Sequence, residues 1–130
     1  MGAKLARPGE LIATLTGDGS YMFSIPSSVH WMARRYEAPF LQVIYDNGGW
    51  QAPRSSTAAV HPLGFASRGE NIGTSFDPAP DYAGIAAASG GAHAEVIKHP
   101  EEVCAALERA VRVVREERRC AVVSAAVCSR

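Results

Sequence analysis

Apolar positions along this chain follow two rhythms. Residues 11–15 (Leu-Ile-Ala-Thr-Leu) and 40–45 (Phe-Leu-Gln-Val-Ile-Tyr) are short, nearly continuous apolar runs, the pattern of strands buried on both faces of a parallel sheet. Between them Val29, Met32, Ala33 and Tyr36 recur at three-and-four spacing, the apolar face of a helix. Ser24 and Pro26 supply its opening cap and first turn, and Pro39 stops it by disfavouring helical backbone at Ala38. Strand, helix and strand in this order predict a parallel, right-handed βαβ unit.

The rhythm fades from Asn47 to Pro80, where Gly, Pro, Ser and Asn are dense. A structureless run this long inside a compact domain signals a functional segment or one ordered by a ligand. Order returns with a short helix over 82–88, capped by Asp81 and closed by Gly90-Gly91. Residues 92–98 read as a strand. Pro100-Glu101-Glu102 then opens a long helix with Arg115, Arg118 and Arg119 in its last turn and Val103, Leu107, Ala110, Val111 and Val114 as its buried stripe. A final strand covers 120–127. The expected fold class is therefore α/β, a three-layer open parallel sheet with helices on both faces, and 130 residues make one domain.

Composition narrows the partners. Lys plus Arg and Asp plus Glu are 13 each, so no basic surplus favours nucleic acid or an anionic membrane. No apolar run approaches the roughly 18 residues of a membrane span, and the start, MGAKLARPGE, lacks a signal-peptide core. An intracellular, cytoplasmic location is expected. Cys104, Cys120 and Cys128 are unpaired in pattern and read as buried thiols of a reducing compartment.

Two loops carry the candidate chemistry. Gly17-Asp18-Gly19-Ser20 follows the first strand, and Asp46-Asn47-Gly48-Gly49-Trp50 follows the second. Ligands of open parallel sheets bind at the carboxyl ends of strands, so neighbouring strands would set these loops side by side. A hard divalent cation takes oxygen ligands and is held by one or two side chains plus substrate phosphates. Asp18 offers an anionic oxygen, Asn47 an amide oxygen, and the turn a carbonyl, most plausibly that of Gly49. Glycines let backbone N–H groups approach phosphate closely. Taken alone, Gly17-Asp18-Gly19 is also an ordinary surface turn. The alternating oxygens of a calcium loop and a GxGxxG dinucleotide turn are both absent. His30 reads as a packing residue of the first helix; His93 and His99 are unclustered, and His61 lies in the long loop within reach of a substrate.

Gly17-Asp18-Gly19, then 26 residues (20–45), then Asp46-Asn47 resembles the diphosphate-binding motif of thiamine-diphosphate-dependent enzymes, a GDG followed by a pair of asparagines. GAKLARPGELIATLTGDGSYMF is similar to the segment leading into that motif in acetolactate-synthase-like members, and the likeness runs through the closing helix and strand. The resemblance implies the thiamine-diphosphate-binding fold, without the strand and helix that precede GAKLARP in the family. It implies magnesium on Asp18, Asn47 and the Gly49 carbonyl. Gly17, Gly19, Ser20 and Tyr21 would line the diphosphate, with Trp50 packed over the cofactor; for the Tyr21 and Trp50 side chains a core role is an equal alternative. Asp46 departs from the family's first asparagine and adds a negative charge beside the diphosphate.

The family binds its cofactor between this domain and a pyrimidine-binding domain, usually of a partner subunit, whose glutamate activates the thiazolium carbon. The resemblance thus implies one piece of a larger, homo-oligomeric enzyme that decarboxylates and joins 2-keto acids. Pyruvate-decarboxylase-like members carry a glutamate just past the second loop, where Gln51-Ala52-Pro53-Arg54 has none; this favours the acetolactate-synthase type. A non-catalytic cofactor-binding module and another thiamine-diphosphate lyase or decarboxylase are the alternatives. Asp18 is expected to serve the metal and not the fold.

Overall fold

The computed structural model describes residues 1–69 and 73–127. Four strands, β1 (Ala13–Gly17), β2 (Leu41–Asp46), β3 (His93–Ile97) and β4 (Ala121–Ala126), pair in parallel in the order β1-β2-β4-β3. Right-handed crossovers explain where the helices lie. The chain moves in one direction across the sheet from β1 to β2 and on to β3, then back to β4. The helices of the first two connections, α3 (Pro26–Arg35) and α6 (Tyr82–Gly90), therefore share one face, and α7 (Val103–Arg112) of the return connection covers the other. The α3/α6 side packs Tyr21, Ala33, Phe40, Ile44, Tyr82, Ala86 and Val122; the α7 side packs Leu41, Ile97, Ala106, Ala110, Val113 and Val123. Among the described residues no helix is long and apolar enough to cross a membrane.

Most predicted elements are present, and four departures have physical causes. β1 is an edge strand, and Leu15 is 64% exposed where a buried position was expected; an apolar run shows that a strand forms, not how many neighbours it has. The segment from 47 to 80 contains α4 (Gln51–Val60) and α5 (Phe65–Arg68), neither of which buries a residue. Helices that pack against nothing leave no apolar periodicity to read. A short α1 (Gly2–Ala6) precedes β1, and the Lys4 ammonium donates to the Glu10 carbonyl at 2.6 Å. Finally, an additional helix, α2 (Asp18–Phe23), forms inside the glycine motif with extended Gly17 as its N-cap, and Ser24 closes it by donating its hydroxyl to the Tyr21 carbonyl, so α3 opens from left-handed Ile25 and not from a Ser24 cap.

The long C-terminal helix begins with a 3₁₀ turn at Pro100–Glu102 and ends in a wide π turn, Val113–Glu117. Its buried stripe runs through Ala106 and Val113 as well as Ala110 and Val114, while Leu107 stays half-buried. Cys120 is buried as expected, Cys104 is exposed, and Cys128 lies outside the described residues. His93 and the Arg109 guanidinium both bond Glu95, tying β3 to α7, and Arg109 holds the Glu95 carboxyl below its usual range.

Two local features carry measurable consequences. Glu37 closes α3 in the left-handed conformation (φ +48°), with Ala38 N–H donating to the Ala33 carbonyl at 2.9 Å. Glycine is the residue suited to this position, so Glu37→Gly should raise stability by roughly 0.5–1 kcal/mol in urea unfolding. His30 is 1% exposed, stacks on Phe40 at 5.4 Å, and both its ring nitrogens lack a hydrogen-bond partner. Burial holds its pKa below the ordinary 6.5, with Gln42 opposing in part. On acidification the unfolded chain takes up this proton before the folded one. The stability present above about pH 6.5 therefore falls as pH drops. The urea midpoint should decrease between about pH 7.5 and about pH 5.5, and the decrease should shrink in His30→Leu.

Candidate functional site

Parallel pairing sets Gly17 beside Tyr45 at the carboxyl ends of β1 and β2. One residue further on stand Asp18 and Asp46, so the two loops are neighbours as the sequence required. Asp18 is 1% exposed. One carboxylate oxygen accepts the Gly19 N–H at 2.8 Å, and the other accepts the Gly49 N–H of the second loop, also at 2.8 Å. Asp18 thus ties the loops together, and the expectation that it leaves the fold indifferent is corrected: two buried N–H groups depend on it.

Asn47 follows β2 directly, in the loop whose Gly49 N–H bonds Asp18. Its side-chain amide oxygen is buried and has no hydrogen-bond partner, an uncommon state for an acceptor. A buried anionic oxygen, an unpartnered amide oxygen and the Gly49 carbonyl suit a hard cation. No cluster of three or more His, Cys, Asp or Glu side chains competes with this site among the described residues. The residues therefore fit magnesium by the chemistry of their donors. Asp46 is half-buried, and its carboxylate accepts the Gly48 N–H at 3.1 Å. Burial raises its pKa, Asp18 adds to the rise, and the Gly48 bond opposes it.

A strap covers the second loop. Trp50 N–H donates to the Thr74 carbonyl at 2.8 Å, Phe76 N–H donates to the Gly48 carbonyl at 2.9 Å, and Gly49 bridges Ser75 in antiparallel fashion. Gly49 adopts φ +148°, and a side chain there would run into the Thr74 carbonyl and approach Ser75 Cα at 3.1 Å. The Trp50 indole lies on Gly19, with Nε1 2.8 Å from where a β-carbon would stand. Its Nε1–H is buried without a partner, and its ring packs against Phe23 and edge-on to Phe76. The strap was invisible in the sequence because residues 74–76 pair through backbone alone.

The remaining predicted site residues divide. Gly17 lies at the end of β1 and caps α2, Gly19 is buried, and the Ser20 hydroxyl is exposed beside them. Tyr21, by contrast, is a core residue: its ring is 1% exposed and its hydroxyl donates to the Tyr82 carbonyl at 2.9 Å. Of the two roles open to its side chain, core packing is the one observed. His61 is exposed at the end of α4. Tyr82, which no spacing rule singled out, is 2% exposed with an unpartnered hydroxyl.

Fold and loops together define a parallel α/β domain whose polar chemistry gathers at the carboxyl ends of two adjacent strands. The chain belongs to the thiamine pyrophosphate enzyme family, as its C-terminal TPP binding domain, whose family model matches residues 1–125. It is 33% identical over 111 residues to a probable acetolactate synthase of Mycobacterium bovis and, equally, to the acetolactate synthase large subunit IlvG of Mycobacterium tuberculosis. Each alignment covers 85% of this chain and 18% of the relative, so the chain spans less than a fifth of their length. The fold matches that of a thiamine diphosphate-dependent 4-hydroxybenzoylformate decarboxylase from Rhodococcus jostii RHA1, with a TM-score of 0.74 and 22% identity over 99% of this chain and 22% of that one.

The crowding at Gly49 predicts its own test. Gly49→Ala combines a forbidden φ with a clash against backbone and should cost about 2–4 kcal/mol, read as a lowered midpoint in urea unfolding.

Proposed function

We propose that this domain holds magnesium and the diphosphate of thiamine diphosphate within a larger acetolactate-synthase-like enzyme acting on 2-keto acids. The observation that carries the reading is the pair formed by buried Asp18 and the unpartnered Asn47 amide oxygen on adjacent strand ends. Asp18, Asn47 and the Gly49 carbonyl would hold the metal. Ser20 and the backbone around Gly19 would take phosphate oxygens, and Trp50 would shield them from water. Because these donors are fixed before binding, little ordering is needed at the moment of binding. Thiamine diphosphate supplies the carbanion that adds to a keto carbon and stores the electrons when carbon dioxide leaves.

This chain's part is to bind and orient. The activating glutamate would come from a pyrimidine-binding domain of the same or a partner subunit. Apolar side chains left uncovered near the sheet's carboxyl end, Leu15 at 64% and Tyr45 at 44% exposure, support a domain that works against further protein. The absence of a glutamate in Gln51-Ala52-Pro53-Arg54 favours carboligation over simple decarboxylation.

Calorimetric titration with thiamine diphosphate, with the pyrimidine-binding domain supplied, should show binding that requires magnesium. Asp18→Asn keeps the side chain's shape and one acceptor but removes the charge. It should weaken magnesium-dependent binding by about 100-fold or more, on the order of 3 kcal/mol. Normal binding by Asp18→Asn, or wild-type binding indifferent to magnesium, would overturn the assignment.

A further inference from the structure

Asp18 and Asp46 stand at the carboxyl ends of the strands; the amino ends carry the opposite charge. Two cavities of about 220 and 470 Å³ lie there and share Pro39 and Arg118 in their walls. Those walls reach the entrance of every strand, with Leu11 ahead of β1, Pro39 ahead of β2, Gly91 ahead of β3 and Cys120 ahead of β4. Arg34, Arg118 and Arg119 line the smaller cavity, and Lys4, Arg115 and Arg118 line the larger. Five of the chain's 13 basic residues therefore gather at one end of a molecule with no net formal charge. Glu37 and Glu10 are the acidic residues in the same walls.

Much of this charge is not used by the fold. Lys4 donates to the Glu10 carbonyl at 2.6 Å, and Arg119 bonds the Glu117 carboxylate and the Gly91 carbonyl, each at 3.0 Å through one of its nitrogens. No hydrogen bond or ion pair among the described residues engages the guanidinium of Arg34, Arg115 or Arg118. Gly91 nevertheless draws two guanidiniums together, since Arg34 Nη1 lies 3.7 Å from where its β-carbon would stand. Helix dipoles favour a cation in a last turn, which suits Arg34 and Arg115. They ask nothing of Arg118, which follows the π turn in the left-handed conformation (φ +52°) that glycine adopts more readily. Glu37, in the wall of the smaller cavity, is left-handed as well (φ +48°). Strain of this kind persists only where the surrounding structure enforces it, and it clusters at ligand sites.

We propose that these two cavities form a second ligand site, for a phosphorylated small molecule, with Arg34 and Arg118 holding the phosphate and Arg115 extending the site into the larger cavity. The site is independent of the magnesium-diphosphate reading and lies at the other end of the sheet. Guanidinium groups pair with phosphate oxygens through two parallel N–H···O bonds. Taken together, the cavities have the size of small-molecule sites, roughly 300–1,000 Å³. Their concave form suits a compact anion better than the surface of an acidic protein. A bound phosphate also relieves the mutual repulsion of guanidiniums that nothing in the chain neutralises.

The test is calorimetric titration of the complete protein in chelator, without magnesium, using ADP, glycerol phosphate and, as a control without phosphate, adenosine. Wild type should bind ADP or glycerol phosphate saturably, with an affinity that falls as salt is added. A preference for ADP shows that both cavities are used, and equal binding of the two shows that the phosphate alone is recognised; either supports the inference. Arg118→Gly removes a guanidinium and suits the left-handed backbone. Its melting temperature should match or exceed that of wild type while its affinity for the phosphorylated probe falls about 5- to 20-fold, the loss of a hydrogen bond to a charged group. A residue that serves only the fold would not separate stability from affinity in this way. Arg34→Gln should lose affinity to a similar extent, and it decides the matter should Arg118→Gly fail to fold. Absence of saturable binding to either phosphorylated probe overturns the inference, as does binding that both substitutions leave unchanged. Adenosine binding as tightly as ADP overturns it too, and so does a hexaglutamate peptide that binds where neither phosphorylated probe does.

Discussion

The Asp18 carboxylate accepts one N–H from its own loop and one from the loop of the neighbouring strand, both at 2.8 Å. Everything at the carboxyl end of the sheet is arranged around this bridge. β1 and β2 must be adjacent and parallel for it to form, and α3 makes them so by crossing between them. Gly49 must take a backbone shape closed to other residues for its N–H to face Asp18 while its neighbours pair with the strap at 74–76. The two N–H donors hold the carboxylate in one orientation.

The price of this preorganisation is unmet polar groups. Asn47 Oδ1, Trp50 Nε1 and Tyr82 Oη are all buried without partners; the first two belong to the second loop, and Tyr82 opens α6. Each leaves stability unrealised in the unliganded chain. The loop pair is concentrated where a ligand would satisfy it, apart from Tyr82 in the core cluster and His30, whose two bare nitrogens lie in the core between α3 and the sheet. His30, held below its ordinary pKa by burial, bears on stability through the core rather than through the loops.

How much of this was legible beforehand depends on what each residue contributes. The strands, α3, α6 and α7 were readable because they bury a face, and burial imposes a period. The meeting of the two loops was readable because Asp18 and Asn47 each follow a strand directly, and those strands are neighbours. Leu15 was misjudged because an edge strand and a central one share the same apolar run. α4 and α5 were missed because they bury nothing. α2 was missed because glycine beside aspartate serves a helix start as readily as a turn. The core role of the Tyr21 side chain was one of two open readings, because proximity to the glycine motif does not show which way a ring turns; its hydroxyl bonds the Tyr82 carbonyl inside the core.

The register of β1 on β2 has a consequence for folding as well as for binding. Sliding β2 by one residue would carry Asn47 about 3.3 Å along the strand and turn it to the opposite face. Asp18 would lose both its partner N–H and its companion oxygen at once. Any ligand held by the two loops together therefore acts as a gauge of alignment, since it binds one register of the sheet and no other, and by mass action it selects the correctly paired sheet from its near neighbours.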